Sequence, residues 1–434
     1  MLELSYYGDD FTGSTDVLEA LSGNGVPTVL FTRVPTEAQL GSFPGVRAIG
    51  LAGDSRSRPP AWMDDHLPAA FGWLKSLGAR HCHYKVCSTF DSAPHIGSIG
   101  RAAEIGLAVF DQTHLNVVVG APRLRRYTLF GTLFASYQDQ THRIDRHPVM
   151  SRHPATPMAE ADLRRHLSRQ TDLQVGSIDP DVTRDQSGVD ALRSCRARGD
   201  RITIIDVYDA ASQARAGALL EDALPRTGPF VVGSSGVEYA LLDAWREKGR
   251  AGPALQTAPL APKEVVAIVS GSCSPTTERQ IQTALRAGFA GVAVNYAALA
   301  SGVGAEAAIA DGFAQADAAI RAGQSPLLYT ALGPPGERVP IAANDRVGSA
   351  LGGLLRRLMD KHRLDRVGVA GGDTSSHALS SLDTVALTLR RPLADSPGSP
   401  VCVAHRDDLS TFEIALKGGQ VGSDAYFVNL RDGV

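Results

Sequence analysis

Apolar, β-branched residues gather along this chain in short runs, and most runs are separated by stretches whose apolar positions recur every three or four residues. "LELSYY" (residues 2–7) is the first run. "STDVLEALSGNG" follows with helical spacing and closes at Gly23 or Gly25, and "VPTVLF" opens the next strand. "VRAIGLA", "HCHYKV", "LNVVVGA", "RITIIDV" and "PFVVGSS" continue the series. Strands alternating with helical patterns predict βαβ units and a largely parallel sheet. The pattern lapses at residues 249–263, "GRAGPALQTAPLAPK", whose Pro, Ala and Gly content suits a linker. A second series then begins with "EVVAIVSGS" and runs through "FAGVAVN", "SPLLYTAL", "DRVGVAGG" and "SPVCVA". The Ala-rich tract 297–322 has helical spacing and no side chain suited to chemistry. The expected architecture is two α/β domains with largely parallel sheets, residues 1–250 and 264–434, and an interdomain cleft as the default ligand site.

Composition narrows the function classes. A chain of 434 residues is long for one core, which agrees with two domains. Its net charge of −3 supplies no basic stripe for nucleic acid, and "APRLRRY" is too short to make one. That loop reads instead as an anion-binding loop or a solvated face. The five cysteines are odd in number and scattered, without a C-x-x-C pair, as expected of reduced thiols in a cytoplasm. Cys82 and Cys87 stand near His81 and His83, but no second cluster completes a tetrahedral metal site. No basic-then-apolar leader and no apolar run of about 18 residues is present, so a cytoplasmic protein without a membrane partner is expected.

The candidate chemistry sits where strands hand over to helices, the edge at which open parallel sheets bind ligands. "GDDFTGSTD" puts Asp9 and Asp10 at the end of the first strand. One carboxylate suffices to cap the following helix; two adjacent ones imply a second task, such as holding hydroxyls, accepting a proton or binding Mg²⁺ through water. "GDSRSR" places Ser55, Arg56 and Arg58 after a strand, and an arginine there suits a carboxylate. "YKVCSTFDSAPHIGSIG" ends another strand with Lys85, Ser88, Thr89 and Asp91, a cation and hydroxyls placed for an acidic polyol. "RIDRHPVMSRHPATPM" repeats Arg-His-Pro and predicts a rigid surface loop, with His147 and His153 open to substrate, a dimer contact or solvent.

The second series carries three small-residue turns. Ser270, Gly271, Ser272, Cys273 and Ser274 precede Pro275 at a helix start; Gly371, Gly372, Asp373 and Thr374 open another helix; Lys417, Gly418 and Gly419 form the third. Small residues admit an anion to the backbone, and helix N-termini add positive potential, so the set points to nucleotide phosphates. No G-x-x-x-x-G-K-[ST], G-x-G-x-x-G or G-x-S-x-G fingerprint is present, and "AHRDDLSTF" lacks the partners of a protein-kinase catalytic loop.

Taken in order, "GDDFTGSTD", "DSR", "YKVCST", "SGSCS", "AGGDTSSHAL" and "LKGGQVG" resemble the motifs of the four-carbon acid sugar kinase family over nearly the whole chain. The resemblance implies an N-terminal sugar-acid domain, a C-terminal nucleotide domain, and ATP-dependent phosphorylation of a sugar-acid hydroxyl with Mg²⁺. It places the substrate on Asp9, Asp10, Arg56, Lys85, Ser88 and Thr89. ATP would contact Ser270, Gly271, Ser272 and Ser274, then Gly371, Gly372, Asp373 and Thr374, and lastly Lys417, Gly418 and Gly419. Asp10 and Asp373 are the candidates for the proton acceptor, unranked, and no side chain is assigned as a metal ligand. Relatives acting on threonate, erythronate or 3-oxo-tetronate read Lys-x-x-Asp-Ser-Thr-x-Arg-Gly; here Cys87 replaces the aspartate and "FDSAP" the segment carrying Arg-Gly. That departure resembles the branch acting on the branched acid 3-oxo-isoapionate. Beyond ATP and the sugar acid, a homodimer stays open. A dehydrogenase and a non-catalytic nucleotide or sugar-acid sensor are the rivals from other classes.

Overall fold

The computed structural model describes all residues except Pro154, 182–187, 334–340, Ala394 and Leu409, and leaves the side chains of 341–344 and 373 undescribed. The chain divides into two compact units. One comprises Met1–Asp9, Ala20–Thr28 and Gly45–Ala254; the other comprises Asp10–Glu19, Val29–Pro44 and Leu255–Val434. The division falls first on the peptide bond between Asp9 and Asp10 and last inside the Pro- and Ala-rich stretch at 254–255.

Eighteen strands are described, each short: β1 (Leu4–Gly8), β2 (Thr28–Phe31), β3 (Ala48–Ala52), β4 (His81–Lys85), β5 (Leu115–Val118), β6 (Arg126–Leu129), β7 (Thr132–Tyr137), β8 (Gln140–Arg143) and β9 (Val175–Ile178) in the first half. β10 (Ile202–Ile205), β11 (Phe230–Gly233), β12 (Ala267–Ser270), β13 (Ala290–Ala293), β14 (Pro326–Tyr329), β15 (Arg366–Ala370), β16 (Thr384–Arg391), β17 (Val401–Arg406) and β18 (Thr411–Lys417) complete the series.

In the N-terminal unit the order is β3-β1-β4-β11-β5-β10-β9, and every pairing is parallel. All five residues of β1, β3 and β4 are buried, as a parallel sheet covered on both faces requires. After β1 the chain moves out to β3, then returns to place β4 on the other side of β1. The strand order therefore reverses between β1 and β4, and their carboxyl ends mark the switch point where such sheets take ligands. A separate antiparallel sheet, β6-β7-β8, follows β5. The sequence pattern gave no warning of it, because its strands are half-exposed and lack an apolar run.

The C-terminal unit repeats the device. The order β13-β14-β12-β15-β18 is parallel throughout and reverses between β12 and β15. Beyond β18, the strands β17, β16 and β2 pair antiparallel and add an antiparallel margin to the parallel strands. "TVALTLRR" forms β16, buried over its first four residues and half-buried over its last four. Leu260, from the Pro-rich stretch, packs with Ile268, Ile281, Leu327, Val401 and Phe427 in this unit's core. The Ala-rich tract forms the helices Tyr296–Ser301 and Ala305–Arg321.

Candidate functional site

In the N-terminal unit, the carboxyl ends of β1, β3 and β4 converge on Asp9. Its amide donates to the Lys85 carbonyl at 2.9 Å, and its own carbonyl accepts from the Arg56 amide at 3.0 Å, so the backbone ties β4 to the turn after β3. Its carboxylate takes two bonds from the Arg56 guanidinium, Nη2 to Oδ1 at 2.7 Å and Nε to Oδ2 at 3.1 Å. This fork answers half of the question raised by the paired aspartates. Asp9 is matched to an internal arginine, and Arg56, expected to face a substrate carboxylate, is held by Asp9. Lys85 is buried at the end of β4. Ser55, in the same turn, bonds the Tyr84 hydroxyl at 2.9 Å, and Tyr84 stacks on Tyr7.

Beyond Lys85 the chain builds a buried polar knot. The Thr89 hydroxyl lies 2.6 Å from Asp91 Oδ1 and 2.9 Å from Cys87 Sγ, while Ser88 is half-buried beside it. The Thr156 hydroxyl reaches Asp91 Oδ2 at 3.1 Å, and His153 Nδ1 accepts the Thr156 amide. Burial opposes ionisation of Asp91, but Arg56, His153 and the two hydroxyls hold its carboxyl below the usual range. Burial and the Asp91 charge push the Cys87 thiol up, so it stays neutral. His147 is buried and accepts the amides of Val149 and Met150 on Nδ1, and burial with nearby Arg126 lowers it to about 4. Both Arg-His-Pro histidines thus fasten their own loop rather than stand free in solvent.

Asp10 falls in the other unit and takes the capping task. Its Oδ1 accepts the Gly13 amide at 2.6 Å and its Oδ2 the Thr12 hydroxyl at 3.0 Å, at the start of the helix Phe11–Ser22. A Cβ placed on Gly372 would stand 3.5 Å from Asp10 Oδ2, and one on Gly418 3.5 Å from Thr12 Oγ1. Asp10 therefore lies beside the first turn of the helix Gly372–Ser381 and the glycine turn after β18. The side chain of Asp373 lies outside the described residues.

The three small-residue turns of this unit meet at the switch point. The amide of Gly271 donates to the Ala370 carbonyl and that of Gly371 to the Lys417 carbonyl, tying the ends of β12, β15 and β18 together. Gly371 has φ +117°, a conformation L side chains rarely adopt, and its Cβ would come within 3.0 Å of Thr374 Oγ1. Ser274 caps the helix Pro275–Arg286 by accepting the Thr277 amide, and its hydroxyl also contacts the Gly419 carbonyl. Thr277 Oγ1 lies 3.0 Å from Ser272 Oγ. Ser270 Oγ is buried with no partner. The orphaned hydroxyl, the hydroxyls of Ser272 and Thr374 and the glycine backbone fit a phosphate chain that would supply acceptors.

Lys417 behaves differently from its expected reach toward phosphate. It is fully buried, and its ammonium donates inward to Thr277 Oγ1 (3.0 Å) and the carbonyls of Gly418 (2.7 Å), Gly419 (3.4 Å) and Val421 (3.2 Å). Burial pulls it down to about 7. Lys417 is thus the internal brace of the glycine turn. Thr277 and Gln280 were not anticipated; Gln280 Nε2 donates to the carbonyls of Val421, Gly422 and Ser423. The Ser274-x-x-Thr277 spacing of a helix cap was the available signal. Among the described residues no three His, Cys, Asp or Glu side chains cluster as metal ligands, and no helix is long and apolar enough to cross a membrane.

Residues 4–241 match a sugar-binding N-terminal domain and residues 267–427 a nucleotide-binding C-terminal domain. The chain is 42% identical, over all of its length and 94% of the relative's, to a 3-oxo-isoapionate kinase of Paraburkholderia graminis. It is 30% identical to a 3-oxo-tetronate kinase of Cupriavidus necator, over 98% of this chain and 95% of that one. A solved structure from Salmonella typhimurium LT2, described as a putative tRNA synthase, superposes with a TM-score of 0.77 at 27% identity, covering 99% of this chain and 98% of that one.

Proposed function

The chain belongs to the four-carbon acid sugar kinase family, and on that footing we propose that it transfers the γ-phosphoryl group of ATP to a hydroxyl of 3-oxo-isoapionate. The observation that carries the reading is the meeting of three glycine and hydroxyl turns at the β12/β15 switch point, in the unit that matches a nucleotide-binding domain. The 42% identical relative supports the branched acid over the four-carbon acids.

Phosphoryl transfer asks the protein for positioning and charge stabilisation more than for covalent chemistry. The backbone of Gly271, Gly371, Gly372, Gly418 and Gly419, with the hydroxyls of Ser270, Ser272, Ser274 and Thr374, would cradle the phosphates. Lys417 and Gln280 would keep that cradle in shape. Asp9, Lys85, Ser88 and Thr89 would orient the sugar acid, with Arg56 holding Asp9 in place. As the acceptor oxygen bonds to phosphorus and the bond to the β-phosphate breaks, the hydroxyl proton passes to Asp10 or Asp373. Mg²⁺ would supply charge neutralisation on the phosphates, and Asp10, beside the first turn of the Gly372–Ser381 helix, would be a carboxylate to hold it. The partners in this reading are the two small-molecule substrates, in a cytoplasm that keeps ATP and reduced thiols; a homodimer is compatible with it.

The test is ADP release from ATP and Mg²⁺ with a panel holding 3-oxo-isoapionate, 3-oxo-tetronate, threonate and erythronate. Turnover highest with 3-oxo-isoapionate is expected, and Asp10→Asn should lower it at least 100-fold. No ADP release with any acid would overturn the kinase reading, and higher turnover with a four-carbon acid would overturn the substrate.

A further inference from the structure

Asp9 engages one edge of the Arg56 guanidinium, through Nε and Nη2, and so ties that group to an internal carboxylate; a further cation at this sheet edge, beside Lys85, would serve the substrate carboxylate of the proposed reaction. The loop after β5 supplies one. Residues 121–126, "APRLRR", leave the carboxyl end of β5, and Ala121 and Arg126 exchange backbone bonds at 2.9 and 3.2 Å that fix Arg126 close to that strand end. β5 neighbours β11, and β11 neighbours β4, so this loop shares the sheet edge with the Lys85–Thr89 segment. The Gly233 carbonyl accepts the Val86 amide at 2.7 Å, joining the ends of β11 and β4. The guanidinium of Arg126 and the Cys87 sulfur lie within electrostatic reach of one another.

The hydrogen-bond inventory of Arg126 is incomplete in an informative way. Its Nη1 donates to the carbonyls of Leu124 (3.0 Å), Arg125 (3.2 Å) and Ser136 (3.3 Å), which sets the orientation of the group. Its Nε is buried and has no acceptor. Next to the same loop stands the N-terminus of the helix Gly236–Glu247. A Cβ on Gly236 would lie 2.2 Å from the Gly120 carbonyl, and Arg123 sits 5.8 Å from the centre of the Tyr239 ring. Ser235, at the N-cap of that helix, makes no capping bond, and its hydroxyl is buried without a partner. Two buried donors left unmatched on packed elements, one charged and one at a helix N-terminus, call for an anionic acceptor.

We propose that Arg126, together with the Ser235 hydroxyl at the helix N-terminus, receives the carboxylate of the sugar acid and so sets the specificity for acids over neutral sugars. The inference rests on the kinase reading and adds to it the residues that recognise the acid group. Arg56 then serves as a positioning residue for Asp9.

The experiment is isothermal titration of the sugar acids of the ADP-release panel, without nucleotide, into wild type, Arg126→Gln, Arg126→Lys and Ser235→Ala. Steady-state kinetics on the same proteins run beside it. Arg126→Gln should weaken acid binding roughly 10- to 100-fold, with Arg126→Lys intermediate and Ser235→Ala about 5-fold. The KM for ATP should stay within about twofold, since only the N-terminal unit is altered. The neutral polyols erythritol and threitol, added as competitors, should inhibit the Arg126→Gln variant no less than wild type. A merely structural arginine would impair acid and polyol alike. Equal acid affinity in wild type and Arg126→Gln, or parallel loss of polyol binding, would overturn the proposal. If wild type releases no ADP, the kinase reading fails while the titration still decides the role of Arg126; if wild type turns over an acid that it does not bind without nucleotide, an unchanged KM for that acid in Arg126→Gln would overturn the proposal and a raised one support it.

Discussion

Replacing Lys417 by methionine isolates a single buried ammonium and ties its protonation to the stability of the glycine turn. Methionine has nearly the same length and volume, so the substitution removes charge and donors while leaving little cavity. The cost has two opposing parts. Three carbonyls and the Thr277 hydroxyl lose a buried donor, at about 1–3 kcal/mol for each group left dry. Against this, the variant no longer desolvates an ammonium. The balance depends on pH with a definite sign. Lys417 titrates near 7 in the folded protein, against an ordinary value of 10.5. Between those values the unfolded chain binds the extra proton, so wild-type stability rises with pH by up to about 1.4 kcal/mol per unit. Below pH 7 both states are protonated and the term is flat. The wild type should therefore outstrip Lys417→Met by a margin that grows by roughly 2–3 kcal/mol between pH 7 and 9.5. Urea unfolding followed by far-ultraviolet circular dichroism measures it. Trp62, Trp73 and Trp245, the three tryptophans of the chain, all lie in the N-terminal unit, so their fluorescence is an internal control that should not move. A margin that stays constant from pH 7 to 9.5 would refute the premise that burial depresses this lysine.

Three further outcomes follow from other contacts. Gly371→Ala forces a side chain onto a φ of +117° and against Thr374, and should lower stability by about 1–3 kcal/mol and raise the KM for ATP, read by denaturation and ADP release. Glu221→Gln removes the acceptor shared by Arg80, His81, Trp245 and Arg250; a loss of about 3–5 kcal/mol is expected near pH 7, measured by tryptophan fluorescence in urea. Burial opposes ionisation of Glu221, but those donors hold its carboxyl below the usual range, so its contribution is present above about pH 5 and fades as pH falls. Thr277→Val should raise the KM for ATP by about 5- to 20-fold, because the hydroxyl that joins Ser272 to Lys417 disappears while the helix Pro275–Arg286 keeps its Ser274 cap.

Much of the fold was legible because burial writes itself into short-range patterns. β3 is buried along its whole length and appears as the apolar run Ala48–Ala52, and Ser274-Pro275 announces a helix start. Among the antiparallel strands, β2 and β17 were legible as "VPTVLF" and "SPVCVA", while β6, β7, β8 and β16 escaped notice for the converse reason. β6 is half-buried and β8 mostly exposed, so no apolar run marks them, and only the first four residues of β16 are buried.

The sequence by itself determined which elements form, where the chain turns at glycine, and which strand ends carry carboxylates, hydroxyls and cations. These are local matters, decided within a few residues by propensity, capping and the spacing of apolar positions. Tertiary structure alone decided how those groups are spent. Asp9 and Asp10 are adjacent in the chain, yet one is forked onto Arg56, 47 residues away, while the other caps a helix grouped with the C-terminal unit. Lys417 faces inward because Thr277, 140 residues distant, stands behind its turn. Arg126 keeps an unmatched donor only because neighbouring elements bury it. A hydrogen bond depends on distance in space and on exclusion of water, and neither is a property of residues near in sequence.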